Sequence, residues 1–196
     1  MPPETRAFEY AMGVFAVLIG LAVADIANSF HRLMRSRPAV RWDPLALTAA
    51  LYTLCMCVYM WFDIWFVRHF DATRNFLFYL ALVAQLFVLF LAAAASLPDE
   101  THGPLDLRDY YAKNRRYFWS LITVFQFGYV VFGIYFVSSY TGRLPYWVGA
   151  RLWAQMVAPL AISVALLVLR SRIAHYVGLA LMFVVMVFHY ARVQIN

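Results

Sequence analysis

Two acidic residues, Asp25 and Asp63, lie inside strongly apolar stretches of the chain. Asn28 and Ser29 follow Asp25 within about one helical turn. Tyr59 precedes Asp63 by four residues, so the phenol and the acid share a helix face. An ionised carboxylate is costly in lipid, and intramembrane acids commonly mark ion or proton routes. The pattern predicts two stations of a cation or proton path, one toward each surface of a membrane.

A structural role is the alternative for both acids. Each could be a protonated or hydrogen-bonded group that locks helices together, paired with a backbone group or with Arg32 or Arg68. Asp63 lies between two tryptophans near a predicted membrane surface, which favours the structural role there. For Asp25 we weigh the two roles equally.

A third polar line occurs further along the chain, where Gln155, Pro159 and Ser163 recur at steps of four. Proline has no N–H, and its ring displaces the carbonyl four residues earlier, which belongs to Gln155. That carbonyl, beside an amide and a hydroxyl, could coordinate an ion, so Gln155 joins the predicted path. A kink that binds water is the alternative.

Four histidines form a competing pattern. His175 and His189 share a face of the last apolar segment, whereas His31 and His69 stand at the ends of the first two. Two such layers would suit a membrane cytochrome with bis-histidine haem b. Isolated histidines near a membrane boundary are nevertheless ordinary, so we predict no cofactor and no metal, with haem b on these four residues as the alternative.

The composition points to an all-α integral membrane protein. The 196 residues are 64% hydrophobic and only 13% charged, against roughly 25% charged in soluble domains. Six apolar segments of membrane length predict one transmembrane bundle over residues 1–196, with helices at about 8–34, 44–70, 74–97, 117–140, 148–169 and 173–192.

The longest polar stretch contains a further helical pattern. Residues 105–116 alternate apolar and charged side chains, with Asp106 placed to cap a helix. This predicts a short cytoplasmic interfacial helix, and a simple extension of the fourth helix is the equal alternative.

Basic residues set the predicted orientation. The loops after the first, third and fifth segments hold ten Lys and Arg residues, and the opposite side holds six. Because basic loops stay cytoplasmic, both termini are predicted to be periplasmic in a bacterial inner membrane. The net charge of +6 therefore marks topology and lipid headgroups, and nucleic acid is not a predicted partner.

The first helix also has a strip of small residues, Gly13, Ala16, Gly20, Ala24 and Ala27, at steps of three and four. Small residues let two membrane helices approach closely. We expect self-association through this strip, with the lipid bilayer as the other partner.

Three stretches carry a family resemblance: Leu18-Ile19-Gly20-Leu21 through Asp25 to His31-Arg32-Leu33, then Leu97-Pro98-Asp99, then Asp106-Leu107-Arg108-Asp109-Tyr110-Tyr111 to Arg115-Arg116-Tyr117-Phe118. In these the chain resembles small multi-pass proteins of unassigned function from proteobacteria. The resemblance covers most of the chain and implies a bacterial inner membrane, and it implies no activity.

The leading functional prediction is a small cation or proton channel or transporter. Its predicted path residues are Asp25, Asn28, Ser29, Tyr59, Asp63 and Gln155. The sequence has no Gly-rich phosphate loop, no Gly-x-Ser-x-Gly elbow and no His-Glu-x-x-His signature, so we predict no catalytic residues. A non-catalytic accessory subunit or receptor is the first alternative, and a haem-binding electron carrier is the second.

Overall fold

The structure is a computed structural model that describes residues 3–35, 40–67, 76–99, 105–139 and 146–190. Over these ranges the chain forms six helices and two very short strands, which confirms the predicted all-helical class. The helices are α1 (Pro3–Arg35), α2 (Pro44–Val67), α3 (Phe76–Ala94), α4 (Leu107–Ser139), α5 (Tyr146–Val168) and α6 (Arg172–Tyr190). The strands are β1 (Val40–Arg41) and β2 (Leu105–Asp106).

Four of these helices are long and apolar enough to cross a membrane. Their apolar parts are Ala11–Arg35, Pro44–Trp65, Phe76–Ala94 and Leu107–Tyr135. The shortest has 19 residues, which is about 28 Å of helix and close to the roughly 30 Å hydrocarbon layer of a bilayer. Within the described ranges, α5 and α6 contribute shorter apolar stretches, Gln155–Val168 and Arg172–Phe188. The helices therefore suit a multi-pass membrane protein.

The chain divides into two compact units, Met1–Asn114 and Arg115–Asn196. In the first unit, α1 packs against α2 and α3. Phe15 of α1 stacks on Tyr79 near the start of α3, with ring centroids 6.2 Å apart. Ser29, two turns before the end of α1, bonds to Asp99 beyond the end of α3. Because both sets of contacts advance along the chain together, α1 and α3 run parallel, and α2, which packs against both, runs in the opposite direction.

In the second unit, α5 and α6 form a closely packed hairpin. Gly178 of α6 lies against the side chain of Leu166, so that a β-carbon added at Gly178 would stand 2.7 Å from a Leu166 methyl carbon. Gly133, in the part of α4 that belongs to this unit, faces Met156 of α5 in the same way. Two glycines thus allow α5 to approach its neighbours.

The start of α4 corrects the prediction of a separate interfacial helix at 105–116. Residues 105 and 106 form strand β2, and the helix then runs from Leu107 to Ser139 without a break. Neither glycine nor proline occurs between residues 107 and 127, so nothing interrupts helix propagation there. The predicted cap is confirmed, since Asp106 Oδ1 accepts hydrogen bonds from the backbone N–H groups of Arg108 (2.8 Å) and Asp109 (3.3 Å).

Strands β1 and β2 form a small parallel pair that the sequence did not predict. Val40 pairs with Leu105 and Arg41 with Asp106, and Arg41 Nη1 lies 3.4 Å from Asp106 Oδ2. A pair of two-residue strands gives no hydrophobic alternation to detect. The pairing ties the segment after α1 to the start of α4.

Candidate functional site

The candidate site is built on the inward face of α1. This face buries Phe15, Ile19, Ala22, Ile26, Ser29 and Leu33. Their spacing of three and four residues keeps one side of the helix against its neighbours. Asp25, Ser29 and Arg32 follow at steps of four and three, so a half-buried acid, a buried hydroxyl and an exposed guanidinium line up near the end of the helix.

Asp99 completes this line from the segment after α3. Ser29 Oγ donates a hydrogen bond to Asp99 Oδ1 at 2.9 Å, and Arg32 Nη2 donates to the same oxygen at 2.7 Å. Arg32 Nη2 also donates to Ser29 Oγ at 2.9 Å. The three side chains form a closed triangle in which Ser29 is 1% exposed. This triangle holds the end of α1 against the end of α3.

The first turn of α4 adds a phenol. Tyr110 Oη donates to the backbone carbonyl of Ala95 at 3.2 Å. The tyrosine interacts electrostatically with both Asp99 and Asp25, so it lies beside the two acids. We call Asp25, Ser29, Arg32, Asp99 and Tyr110 the Asp25 cluster.

Asp25 has the least satisfied side chain of the cluster. Its Oδ2 atom is buried and accepts no hydrogen bond from any residue in the described part of the chain. Asp99 and Arg32 both act on it electrostatically, but Arg32 makes its direct hydrogen bonds to Ser29 and Asp99. Two acids therefore share one guanidinium, and a buried carboxylate oxygen without a donor is suited to take a proton or a cation.

Asn28 and Ser29, the two other predicted path residues on α1, lie on different sides of the helix. Ser29 is buried in the triangle, whereas Asn28 is exposed on the neighbouring side of the helix. The outward strip is also exposed, with nothing within 4 Å of a β-carbon added at Gly13 or Gly20. The small-residue strip thus faces away from the first unit.

Tyr59 and Asp63 lie on α2, half-buried and in contact with other residues. They continue a stripe whose earlier members, Tyr52 and Met56, are buried. Asp63 comes 19 residues after the start of α2, which is about 28 Å along the helix axis. Since α2 runs antiparallel to α1, Asp63 lies at the opposite end of the unit from Asp25. The two acids are not brought together.

Gln155 belongs to the second unit, where it is half-buried and has a contact partner. Pro159 is buried inside α5. Ser163 is buried as well, and its Oγ donates to the Leu160 carbonyl at 2.8 Å, which satisfies the hydroxyl within the helix itself.

The His175 ring, one of the four candidate haem ligands, is buried and hydrogen-bonded. It is 1% exposed and packs against Trp119 with ring centroids 5.8 Å apart. Its Nε2 lies 3.0 Å from the Leu169 carbonyl oxygen, and because a carbonyl only accepts, Nε2 carries the hydrogen. Nε2 would have to give up this bond to ligate iron. His31 is exposed, while His69 and the side chain of His189 lie outside what the structure describes.

The described residues also include two cysteines and several other side chains that can bind metals. Cys55 and Cys57 are both free thiols on α2, as their spacing on largely opposite helix faces predicts. Within the described ranges, no three His, Cys, Asp or Glu side chains group together as metal ligands.

Sequence reasoning missed two members of the Asp25 cluster, Asp99 and Tyr110. Asp99 follows Leu97-Pro98 at the end of α3, in a loop predicted to lie on the same side of the membrane as Arg32. That shared side was the available signal, because it placed the acids of this loop near an arginine-rich helix end. The specific pairing required the packing of α1 on α3.

Fold and site together define a class, an all-helical chain with the helices of a multi-pass membrane protein and a polar cluster at one end of its first unit. No family model matches the chain, and no curated protein or solved structure matches it either.

Proposed function

We propose that this protein is a small cation or proton channel or transporter in which Asp25 is the inner station. The observation that supports it best is the buried Oδ2 atom of Asp25, which has no hydrogen-bond partner among the described residues. A purely structural acid would be expected to bond its neighbours on both oxygens. An atom left in this state suits a group that exchanges a proton or cation.

The charge balance of the cluster favours a positively charged ligand. Asp25 and Asp99 face one guanidinium, so the fully ionised cluster has a net charge of −1. A proton or a small cation on Asp25 would neutralise it. Ser29 would then hold Asp99 and Arg32 in place beside the ligand, while the Tyr110 hydroxyl closes the side toward α4.

The rest of the proposed path follows the α2 stripe. Tyr59 and Asp63 would form the outer station, at the far end of the first unit. Asn28 would meet ions at the inner surface because it is exposed. Gln155, beside Pro159, would offer its carbonyl in the second unit.

The proposal includes six membrane crossings in a bacterial inner membrane, with both termini periplasmic. Large apolar side chains are exposed along the helices; Val17 is 61% exposed, Leu77 67% and Val187 60%. Lipid would cover such a surface, whereas soluble proteins rarely expose large apolar patches. The contacts of Ser29 and Tyr110 also bring the end of α1, the end of α3 and the start of α4 together, as alternating crossings require.

Self-association through the outward strip of α1 is part of the same proposal. The strip is open at Gly20, so a second α1 could approach it closely. Gly20→Leu should abolish crosslinked oligomers of protein in native membranes. Val14→Leu, at an exposed position off the strip, should leave them unchanged, and equal crosslinking of both variants would contradict this interface.

The function is tested by flux through the purified protein in liposomes, with imposed proton, sodium or potassium gradients in separate assays. Asp25→Asn should abolish the flux that the wild type supports. Asp109→Asn, at an exposed acid paired with Lys113, should retain it. Both variants must elute as folded protein in size-exclusion chromatography.

Two outcomes would overturn the proposal. Wild-type protein that conducts none of these cations would favour an accessory subunit or receptor, and stable co-purification of another protein would support that alternative. Unchanged flux in Asp25→Asn would remove this residue from the path. An absorption spectrum of the same sample, oxidised and reduced, decides the haem alternative by the presence or absence of a Soret band.

A further inference from the structure

The side-chain oxygens around Asp25 are already engaged in hydrogen bonds. Arg32 Nη2 donates to Ser29 Oγ at 2.9 Å and to Asp99 Oδ1 at 2.7 Å. Ser29 Oγ donates its own hydrogen to the same Asp99 oxygen at 2.9 Å. A metal ion bound to either oxygen would therefore have to compete with a guanidinium that is held in place by both.

The backbone carbonyls at the end of α3 are engaged in a similar way. The Ala93 carbonyl accepts hydrogen bonds from the backbone N–H and the hydroxyl of Ser96, at 3.1 and 2.7 Å. The Leu91 carbonyl accepts from the N–H of Ala95 at 2.9 Å, and the Ala95 carbonyl accepts from Tyr110 Oη at 3.2 Å. Carbonyls at a helix end often lack an intrahelical partner, and backbone carbonyls are the ligands that K⁺ channels use. At the end of α3 these carbonyls are bonded within the chain instead.

The Oδ2 atom of Asp25 differs from these oxygens, because it accepts no hydrogen bond from any described residue. It is also so fully buried that a sphere the size of a water molecule has almost no access to it. A hard cation gathers about six oxygen ligands around itself, whereas a proton needs a single lone pair. In this geometry Oδ2 can take a proton, but it has no room for a metal ion with its ligands.

The charged and titratable groups around Asp25 come from each neighbouring element. Arg32 on α1, Asp99 after α3 and Tyr110 on α4 interact electrostatically with it. The acid of α2, Asp63, lies at the opposite end of the unit. α2 also packs against α1 and carries the free thiols Cys55 and Cys57. Among these groups Arg32 alone is positively charged, and it would repel a metal ion placed beside Asp25.

The contacts of Arg32 are those expected when Asp25 carries a proton. An ionised carboxylate at membrane depth would attract a nearby guanidinium. Arg32 instead directs Nη2 to Ser29 and Asp99, and Oδ2 of Asp25 has no donor among the described residues. A proton on Asp25 makes a neutral carboxylic acid and leaves Arg32 and Asp99 as a balanced ion pair.

We propose that the ion carried by Asp25 is a proton, and that Na⁺ and K⁺ are not substrates of this site. The carboxylate takes the proton from water by forming an O–H bond, and it returns the proton to water when that bond breaks. Arg32 is the fixed positive charge that excludes metal ions. This inference rests on the proposed function and narrows it to proton transport.

Flux assays in liposomes test this inference and the proposed function separately. With a permeant anion to balance the charge, the wild type should move protons down a pH gradient at a rate that is unchanged when choline replaces Na⁺ and K⁺. Gradients of Na⁺ or K⁺ alone should give no flux above that of empty liposomes. Asp25→Asn should abolish the proton flux, and Asp109→Asn, at an exposed acid paired with Lys113, should retain it.

The flux results have distinct meanings. Flux of Na⁺ or K⁺ that is lost in Asp25→Asn would overturn the proton inference and leave the proposed function in place. An absence of flux for all three ions would overturn both. Proton flux that persists in Asp25→Asn would overturn the role of this residue.

Infrared spectroscopy of the protein in lipid is a second readout, which needs no flux. A carboxylic acid removed from water has a C=O stretch at a higher frequency than a hydrated acid. Wild-type protein should show such a band as the pH falls, and Na⁺ and K⁺ should leave it unchanged. The band should be lost in Asp25→Asn, shifted in Asp25→Glu and retained in Asp109→Asn. Its absence from the wild type, its persistence in Asp25→Asn or its loss on addition of Na⁺ or K⁺ would overturn the proposal.

Discussion

Arg32 Nη2 lies 2.7 Å from Asp99 Oδ1, and this ion pair joins the last turn of α1 to the segment that follows α3. The two side chains are 45% and 56% exposed, so solvent screens their attraction. Ser29 Oγ bonds both partners from a buried position and holds them in one geometry.

We predict a modest coupling energy for this pair. In a cycle of Arg32→Gln, Asp99→Asn and the double variant, the coupling in the free energy of unfolding should be about 0.5–1 kcal/mol and should fall as salt is added. Chemical denaturation in mild detergent measures it. A coupling above about 3 kcal/mol would indicate a buried pair and contradict the exposure of these side chains.

Asp25 should contribute little to stability. Its Oδ2 accepts no hydrogen bond within the described part of the protein, so Asp25→Asn removes a partly buried charge without breaking a bond to that atom. We expect the free energy of unfolding to change by less than about 1 kcal/mol, or to rise. A loss of about 2 kcal/mol or more would show that the acid holds the helices together, and would favour the structural role.

His175 should be important for the second unit. His175→Ala removes a buried ring, its packing on Trp119 and its hydrogen bond to the Leu169 carbonyl. We expect a loss of about 2–4 kcal/mol in the free energy of unfolding. His31→Ala, at an exposed histidine, is the matched control and should change it by less than about 0.5 kcal/mol. Thermal unfolding in detergent compares the two, and similar midpoints would contradict the proposed role of His175.

Two glycines should respond oppositely to alanine. At Gly178 the new β-carbon would stand 2.7 Å from a methyl carbon of Leu166, which is itself buried. Gly178→Ala should therefore cost about 1–3 kcal/mol through overpacking. At Gly20 nothing lies within 4 Å, and alanine favours a helix by up to about 1 kcal/mol over glycine. Monomeric protein in detergent should show this difference in thermal midpoint, and a destabilised Gly20→Ala monomer would contradict the open position of that strip.

The start of α4 could be predicted from the sequence because a helix cap depends only on neighbouring residues. Asp106 was predicted as a cap because its side chain can accept the first N–H groups of a helix, and it does so. Whether residues 107–116 formed their own helix or extended α4 was a choice between two patterns of equal local quality. The helix continues unbroken because neither glycine nor proline occurs between Leu107 and Phe127.

Contacts between distant segments account for what was not predicted. Asp99 enters the Asp25 cluster because α1 and α3 run parallel, which brings residues 67 and 70 positions apart into hydrogen-bonding distance. Tyr110 joins the cluster through its hydrogen bond to the Ala95 carbonyl. The separation of Asp25 from Asp63 follows from the same topology. No local spacing encodes such pairings, since they depend on which helices are neighbours.

The sequence by itself determined the all-helical class, the apolar helices long enough for a membrane and the cap at Asp106, because composition, hydropathy and helix caps are local properties of the chain. Tertiary structure decided which polar residues meet. It paired Arg32 with Asp99, turned His175 toward the Leu169 carbonyl and left the Oδ2 of Asp25 without a donor among the described residues. Each of these depends on how helices pack, and packing joins residues that are far apart in the chain.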